Sequence, residues 1–153
     1  MKIRQATNAD TPHIRKILFS TMKEYGICCD PENAEADLED LESSYIGAGG
    51  LFEVLTNDAG TIQGMYGLYP LSEQECELRK MYFIPAIRGK GWGKKSVQRL
   101  IQEAKALGFT RISLETAVAL KEAIQLYKSL GFQNYCSGDI TTGCDQAMFL
   151  ELT

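Results

Sequence analysis

The sequence predicts an α/β (α+β) fold: a mixed, twisted central sheet of about six or seven strands with helices on both faces. Three observations lead there. Two strand-like runs, Leu51 to Thr56 and Thr61 to Leu71, flank Asn57-Asp58-Ala59-Gly60, whose polar and glycine residues suit a hairpin turn. From Glu77 onward, strand and helix periods alternate, so the later strands join the sheet through helical connections. No linker, repeat or low-complexity stretch interrupts the 153 residues, which read as one domain (1–153) with a core of ordinary size.

Each element has its own signal. Lys2-Ile3-Arg4-Gln5 reads as a short opening strand. Asn8 and Asp10 are helix-cap candidates, and Pro12 suits a first turn. The helix that follows carries Ile14, Ile17, Leu18, Thr21, Met22 and Tyr25 on one stripe and ends at Gly26. Cys28-Cys29-Asp30-Pro31 reads as a turn, because proline disfavours helix at the residue before it. A second helix is expected from about Glu32, turning Ala34, Leu38, Leu41 and Tyr45 inward and its carboxylates outward, and closing at Gly47, Gly49 and Gly50. Gly64 and Gly67 lie inside the second hairpin strand, where glycine weakens pairing unless another backbone or a ligand comes close.

The next strand spans Glu77 to Ile84 and stops at Pro85. A glycine-rich turn over Arg88–Gly93 leads to a helix whose inner face holds Val97, Leu100, Ile101, Ala104 and Leu107, with Gly108 as terminator. Arg111 to Glu115 reads as a strand, Leu120 to Leu130 as a helix, Phe132 to Cys136 as a strand, and Gln146 to Leu152 as the last strand.

Composition narrows the function classes. No apolar run approaches the ~20 residues that span a bilayer, and the N-terminus lacks a signal-peptide layout. The five cysteines are odd in number and form no C-x-x-C pair, so they read as reduced thiols and the expected location is cytoplasmic. One histidine, His13, and no spaced Cys/His set leave no expected metal site; His13 itself reads as a surface or capping residue. The net charge of −4 argues against a nucleic-acid partner, and neither that nor a membrane partner is expected. Its distribution says more. Eight acids and no Lys or Arg lie between Glu24 and Glu42, whereas eight basic residues and one acid lie between Arg79 and Lys105. If both border one cleft, the basic side suits phosphates and the acidic side a cationic amine; the acidic run reads equally as a solvated helix face.

Strand, glycine turn and helix together make an anion cradle. Glycine lets the backbone bend sharply and approach a bound group, and a helix start presents free N–H groups at its positive end. Arg88, Lys90, Lys94 and Lys95 add charge there, so a phosphate or pyrophosphate is the expected guest; a glycine turn without a ligand is the alternative. It is not a P-loop, because counting from Gly89 the second glycine would fall at Lys94. The same residue breaks a G-x-G-x-x-G fingerprint.

The pattern that fits is Arg-x-x-Gly-x-Gly at Arg88, Gly91 and Gly93, preceded by Cys76-Glu77-Leu78 and followed by Ala123-Ile124-Gln125-Leu126-Tyr127 and Gly131-Phe132. With Ile3-Arg4-Gln5-Ala6-Thr7 as an opening strand, this resembles the GNAT superfamily of N-acyltransferases over nearly the whole chain. The resemblance implies the GNAT fold and an N-acetyltransferase that takes acetyl-CoA as co-substrate and a small-molecule, peptide or protein amine as acceptor. A non-catalytic acyl-CoA-binding module is the alternative. Homodimers are common in the superfamily, and this sequence does not decide that point.

By the same resemblance, Met81, Tyr82 and Phe83 meet the pantetheine arm, with the backbone of Met81 and Phe83 supplying an oxyanion donor. Arg88, Gly89, Lys90, Gly91, Trp92, Gly93 and Lys94 hold the diphosphate. Glu77 is the candidate general base, or else a partner of Arg79 or Lys80. Tyr127 is the candidate acid for the leaving thiolate, since a phenol with pKa ~10 donates at neutral pH. The helices at the start of the fold flank the acceptor, which makes Tyr25, Asp30, Asp37 and Tyr45 candidates; Asp145 is another, or a plain turn residue. Leu120 stands where many relatives carry asparagine, so that contact is absent or replaced, by Thr116 or Lys121. Cys28 and Cys29 read as packing residues, and Cys144 has no histidine to activate it.

Overall fold

Strands whose apolar residues face a core, alternating as in Arg111–Thr116 or nearly continuous as in Ile62–Pro70, and apolar stripes along the helices build a three-layer structure. The computed structural model describes residues 1–26, 36–116, 120–135 and 146–152. The strands are β1 (Lys2–Gln5), β2 (Leu51–Thr56), β3 (Ile62–Pro70), β4 (Glu75–Phe83), β5 (Arg111–Thr116), β6 (Gln133–Tyr135) and β7 (Gln146–Glu151). They form one seven-stranded sheet in the order β1-β2-β3-β4-β5-β7-β6. All neighbours run antiparallel except β4 and β5, which are parallel.

Three helices cover the sheet: α1 (Thr11–Glu24), α2 (Trp92–Ala106) and α3 (Lys121–Ser129). Ile14, Ile17 and Leu18 of α1 bury against Phe52, Val54 and Met65 on one face. Val97, Leu100 and Ala104 of α2, with Ile124 and Tyr127 of α3, bury against Tyr66, Leu68, Cys76, Leu78, Ile112 and Leu114 on the other. The expected helices on both faces are therefore present.

The expected helix from Glu32 is not. Its start lies outside the described residues, and the part described is a 3₁₀ turn over Ala36–Leu38 followed by a π-helical turn over Glu42–Ile46. The reason lies in the polar side chains. Asp40 accepts the Ser43 N–H at 3.1 Å and the Asn8 side-chain amide at 3.1 Å, while Asn8 takes the Glu42 N–H at 3.1 Å. Such side-chain bonds offer the backbone an alternative to the helical ladder. Leu38, Leu41 and Tyr45 are nonetheless fully buried, as expected.

The glycines inside β3 make room for aromatic rings rather than a ligand. A Cβ on Gly64 would meet the Phe83 ring at 2.4 Å, and one on Gly67 would meet the rings of Phe52 and Tyr45 at 2.7 and 2.9 Å.

Candidate active site

The site begins with a fault in β4. Met65 pairs with Tyr82 and Gly67 with Arg79, so β4 spends one more residue than β3 between those pairs. That extra residue is a β-bulge, which bends the strand and increases its twist. Lys80 sits in it at φ +57°, the sole non-glycine residue with positive φ among those described. A side chain held there costs about 1–3 kcal/mol, which the surrounding contacts must offset. Beyond the bulge, inward-facing positions shift by one. Cys76 and Leu78 face the α2/α3 side before it, and Met81 and Phe83 pack on that side after it.

The bulge also separates β4 from β5. Their parallel pairing covers only Glu75–Glu77 against Arg111–Ser113, although β4 runs on to Phe83 and β5 to Thr116. Backbone direction in the opened stretch follows from two hydrogen bonds. Ile84 N–H donates to Gln63 on the β3 side at 2.9 Å, so the amides of Met81 and Phe83, one pleat out of phase, face the gap. Phe83 C=O does so too, because Arg88 Nε donates to it there at 2.8 Å.

A cleft of about 770 Å³ fills this gap. One end is the glycine turn and the start of α2, contributing Arg88, Gly89, Gly91, Trp92, Gly93 and Lys94 to the wall. Gly89 and Gly91 hold φ of +75° and +86° with open space around their Cα atoms, so backbone conformation alone demands glycine there. Gly93 is required by packing, since a Cβ would meet Leu126 at 3.1 Å. Among the described residues, none of the main-chain N–H groups from Gly89 to Lys94 has a hydrogen-bond acceptor; the first paired amide is Lys95, to Gly91 at 3.1 Å. Consecutive free amides at the positive end of a 15-residue helix form a strong anion site.

The charges around the turn divide unequally. Arg88 is committed: Nη1 lies 2.5 Å from Glu24 at the end of α1, and its guanidinium sits 5.7 Å from the Tyr25 ring centroid. Lys94 lines the cleft and is exposed, as is Lys90 nearby, while Lys95 lies over the half-buried Trp92 ring at 4.7 Å.

The middle of the cleft carries Tyr127, with Leu120, Ala123 and Leu126 beside it on the α3 side and Thr116 at the end of β5. The Tyr127 ring packs on Phe132 at 5.6 Å between centroids, and among the described residues its hydroxyl has no hydrogen-bond partner. Burial pushes its phenol above the ordinary value, so it is protonated throughout the physiological range. Thr116 is buried at the cleft wall and Lys121 is exposed outside it, so of these two it is Thr116 that borders the space beside Leu120.

The far end is polar and lies on the α1 side of β4. Leu18, Thr21, Met22 and Tyr25, the end of the α1 stripe, form a wall along that side, with Tyr25 reaching back to Arg88 at the glycine turn. Glu77 accepts a hydrogen bond from Arg79 Nε, and the Arg79 guanidinium lies 3.8 Å over the Tyr69 ring. Arg79 Nη1 is 4.0 Å and Lys80 Nζ 3.4 Å from Asp37, which also accepts a hydrogen bond from Tyr45. Burial works against the Arg79 charge, but Glu77, Tyr45 and Asp37 more than offset it and its pKa is raised. Burial, and then the Asp37 charge, hold the Tyr45 phenol well above its ordinary value. Tyr45 is fully buried behind Asp37 and does not line the cleft, so it positions Asp37 rather than meeting a substrate.

The chain thus brings Glu77, Tyr127, Met81, Tyr82, Phe83, the glycine turn and Tyr25 around one space. Asp30 and Asp145, like Cys28, Cys29 and Cys144, lie outside the described residues. Sequence reasoning named Arg79 and Lys80 only as alternative partners of Glu77, a pairing the structure shows for Arg79, and it missed Tyr69. A signal for the first two exists: alternation from Cys76 and Leu78 places Lys80 at an inward position, and a charge there marks a bulge. Among the described residues no cluster of His, Cys, Asp and Glu is placed to hold a metal ion, and no helix is long and apolar enough to cross a membrane.

Comparison with known proteins agrees with this geometry. Residues 13–132 match the model of the Acetyltransferase (GNAT) family. The uncharacterized N-acetyltransferase YjgM of Escherichia coli (strain K12) is 38% identical over 160 residues, covering 98% of this chain and 94% of its own. The fold is similar to that of an acetyltransferase of the GNAT family from Staphylococcus aureus Mu50, with a TM-score of 0.90, 25% identity and 99% of both chains covered. It is similar too to yncA of Salmonella typhimurium, solved with its cofactor acetyl-CoA: TM-score 0.75, 24% identity, 100% of this chain and 94% of that one. An unpaired stretch of β4, a run of free amides on α2 and the family match over residues 13–132 converge: the chain belongs to the GNAT family and is an N-acetyltransferase.

Proposed function

We propose that the chain, acting as one domain over residues 1–153, transfers the acetyl group of acetyl-CoA to a primary amine by direct attack on the thioester. The observation that carries this reading is the continuous cleft joining the free amides of Gly89–Lys94, the unpaired stretch of β4 and the Tyr127 hydroxyl. The diphosphate of coenzyme A suits those amides, with Lys94 and Lys90 adding charge beside them. The pantetheine arm, which carries two amides, lies along β4 as a further strand would and meets the main chain of Met81 and Phe83. Tyr82 backs that strand from the other face, packed against the α1 core. Acetyl-CoA bound in the Salmonella protein of similar fold supports this assignment.

Transfer then needs two protons moved. An amine arrives as its ammonium and must lose one proton before its nitrogen attacks the carbonyl carbon. Glu77 faces the cleft and accepts it, directly or through water. As the C–N bond forms, the carbonyl oxygen gains charge, and a β4 amide such as that of Met81 supplies a hydrogen bond to it. The C–S bond then breaks and the electron pair leaves on sulfur as a thiolate, while the nitrogen sheds its second proton through water, the proton that finally returns the thiolate to a thiol. Tyr127 donates a hydrogen bond to that thiolate. Because burial raises its pKa, stabilising the sulfur by hydrogen bonding is favoured over leaving a buried phenolate behind. Holding both substrates in one cleft contributes a further ~7–11 kcal/mol at best.

The test is a turnover screen with acetyl-CoA over amines, polyamines, amino acids and peptides, read as free thiol released. Stoichiometric thiol with acetylated amine is expected. Acetyl-CoA binding with no turnover on any acceptor would point to a silent acyl-CoA-binding module instead.

A further inference from the structure

At the polar end of the cleft, side chains from three elements gather around one guanidinium. Glu77 and Arg79 are alternate residues of β4 and so point to the same face. Across the sheet, Glu77 pairs with Tyr69 and Arg79 with Gly67. Gly67 offers no side chain for Arg79 to pack on, and the rings of Phe52 and Tyr45 fill the place of its Cβ. The Arg79 guanidinium lies instead over the next ring, 3.8 Å from the Tyr69 centroid. There its Nε donates to Glu77 Oε1, while its Nη side faces Asp37, at 4.0 Å, and the Tyr45 phenol.

The neighbours of Arg79 are themselves held. Tyr69 meets the Tyr45 ring edge-on at 5.5 Å, Tyr45 donates to Asp37, and Lys80 Nζ, beside the bulge, lies 3.4 Å from Asp37. Glu77, by contrast, has one anchor. Oε1 takes the Arg79 bond, and among the described residues Oε2 accepts no hydrogen bond while the side chain borders the cleft. A base works only with its free oxygen in hydrogen-bond reach of the proton it takes, and a misplacement of ~1 Å can cost about 100-fold in rate.

We infer, resting on the reading of Glu77 as general base, that Arg79 is a positioning residue: stacked on Tyr69 and braced by Asp37, it pins Oε1 of Glu77 so that Oε2 faces the incoming ammonium. The planar shape of the guanidinium carries this role as much as its charge does. An ammonium in its place neither lies flat on the ring nor offers a donor in the same fixed direction.

The experiment measures kcat with the fastest amine of the turnover screen, and the acetyl-CoA Kd, for Glu77→Gln, Arg79→Gln, Arg79→Lys and the two double variants. Arg79→Gln should lower kcat at least about tenfold and leave the acetyl-CoA Kd within about twofold of the parent. On top of Glu77→Gln, the same change should lower kcat by less than about twofold, because a residue that acts through Glu77 has nothing left to position. Arg79→Lys keeps the charge and carries the test if Arg79→Gln does not fold; it should lose at least about threefold alone and fall silent beside Glu77→Gln. Equal losses with and without Glu77, or Arg79→Lys with the kcat of the parent, would overturn the inference and leave Glu77 as the base. Glu77→Gln with the kcat of the parent would overturn both, and would move the base to another acid of the cleft wall such as Glu115 or Glu122.

Discussion

Replacing Gly91 with alanine separates the conformational demand of the glycine turn from its packing. Gly91 holds φ +86°, and a Cβ added there meets no atom within 4 Å. The whole effect is therefore backbone strain, about 1–2 kcal/mol for an L-residue in the left-handed region. That strain has two outlets. If the turn keeps its shape, the folded protein carries the strain and Tm falls by about 2–8 °C, with the acetyl-CoA Kd unchanged. If the free turn relaxes instead, stability is nearly preserved and Kd rises by about 5–30-fold, because the bound geometry must be restored. The sum of the two losses should stay at about 1–2 kcal/mol in either case. Thermal unfolding and calorimetric titration on the same sample measure both. Gly60, at φ +81° with open space around it in the β2–β3 hairpin, is the matched control. Gly60→Ala should lose similar stability and leave Kd alone. A Gly91→Ala protein with both Tm and Kd of the parent would refute the reasoning.

Three further outcomes are expected. Tyr127→Phe removes a hydroxyl with no partner among the described residues, so stability and acetyl-CoA affinity should hold while kcat falls about 10–150-fold, the worth of a ~1.5–3 kcal/mol hydrogen bond to charged sulfur. Pre-steady-state thiol release with a slow acceptor measures it. Glu77→Gln should lower kcat and abolish the acidic limb of the pH–rate profile, because a base works only when deprotonated; an acidic limb that survives removes Glu77 from the mechanism. Asp10 is hydrogen-bonded by Arg4 at 2.8 and 2.9 Å and by the Thr7 amide at 2.9 Å, which hold its carboxyl below the ordinary value despite burial. A depressed folded-state pKa stabilises above the unfolded value and is lost as pH falls through the folded one. Asp10→Asn should therefore cost about 1 kcal/mol at pH 7, discounted for the exposed Arg4, and the difference from the parent should shrink below pH ~4 in denaturant melts.

Much of the fold is legible from period and punctuation. Leu51–Thr56 is a strand with the bounds its sequence suggests, because Phe52 and Val54 alternate with polar or opposite-facing neighbours and a hairpin turn follows. The stripe of α1 is legible for the same reason, and its lower half at Met22 and Tyr25 borders the cleft. The glycine turn is legible because positive φ at Gly89 and Gly91 is a demand few other residues meet. Where reading failed, tertiary contacts outweighed local pattern. Leu38, Leu41 and Tyr45 have helical spacing, yet Asp40 and Asn8 claim the amides a helix would need.

The site was half legible. Glu77 and Tyr127 stand out by motif, but the partner of Glu77 is chosen by the stack of Arg79 on Tyr69, two strands read separately in the sequence. The bulge at Lys80 rests on a lysine in a glycine-like conformation, which composition does not advertise. Arg88, expected as free positive charge beside the turn, is held by Glu24 from 64 residues away, a pairing that only the docking of α1 reveals.

The central claim is that the amides from Gly89 to Lys94 grip the diphosphate of coenzyme A. Calorimetric titration with acetyl-CoA and with S-acetylpantetheine, which has the same thioester arm without the diphosphate, tests it most directly. Acetyl-CoA should bind at least 100-fold more tightly. Equal affinity for the two, or no heat with either, would contradict the claim.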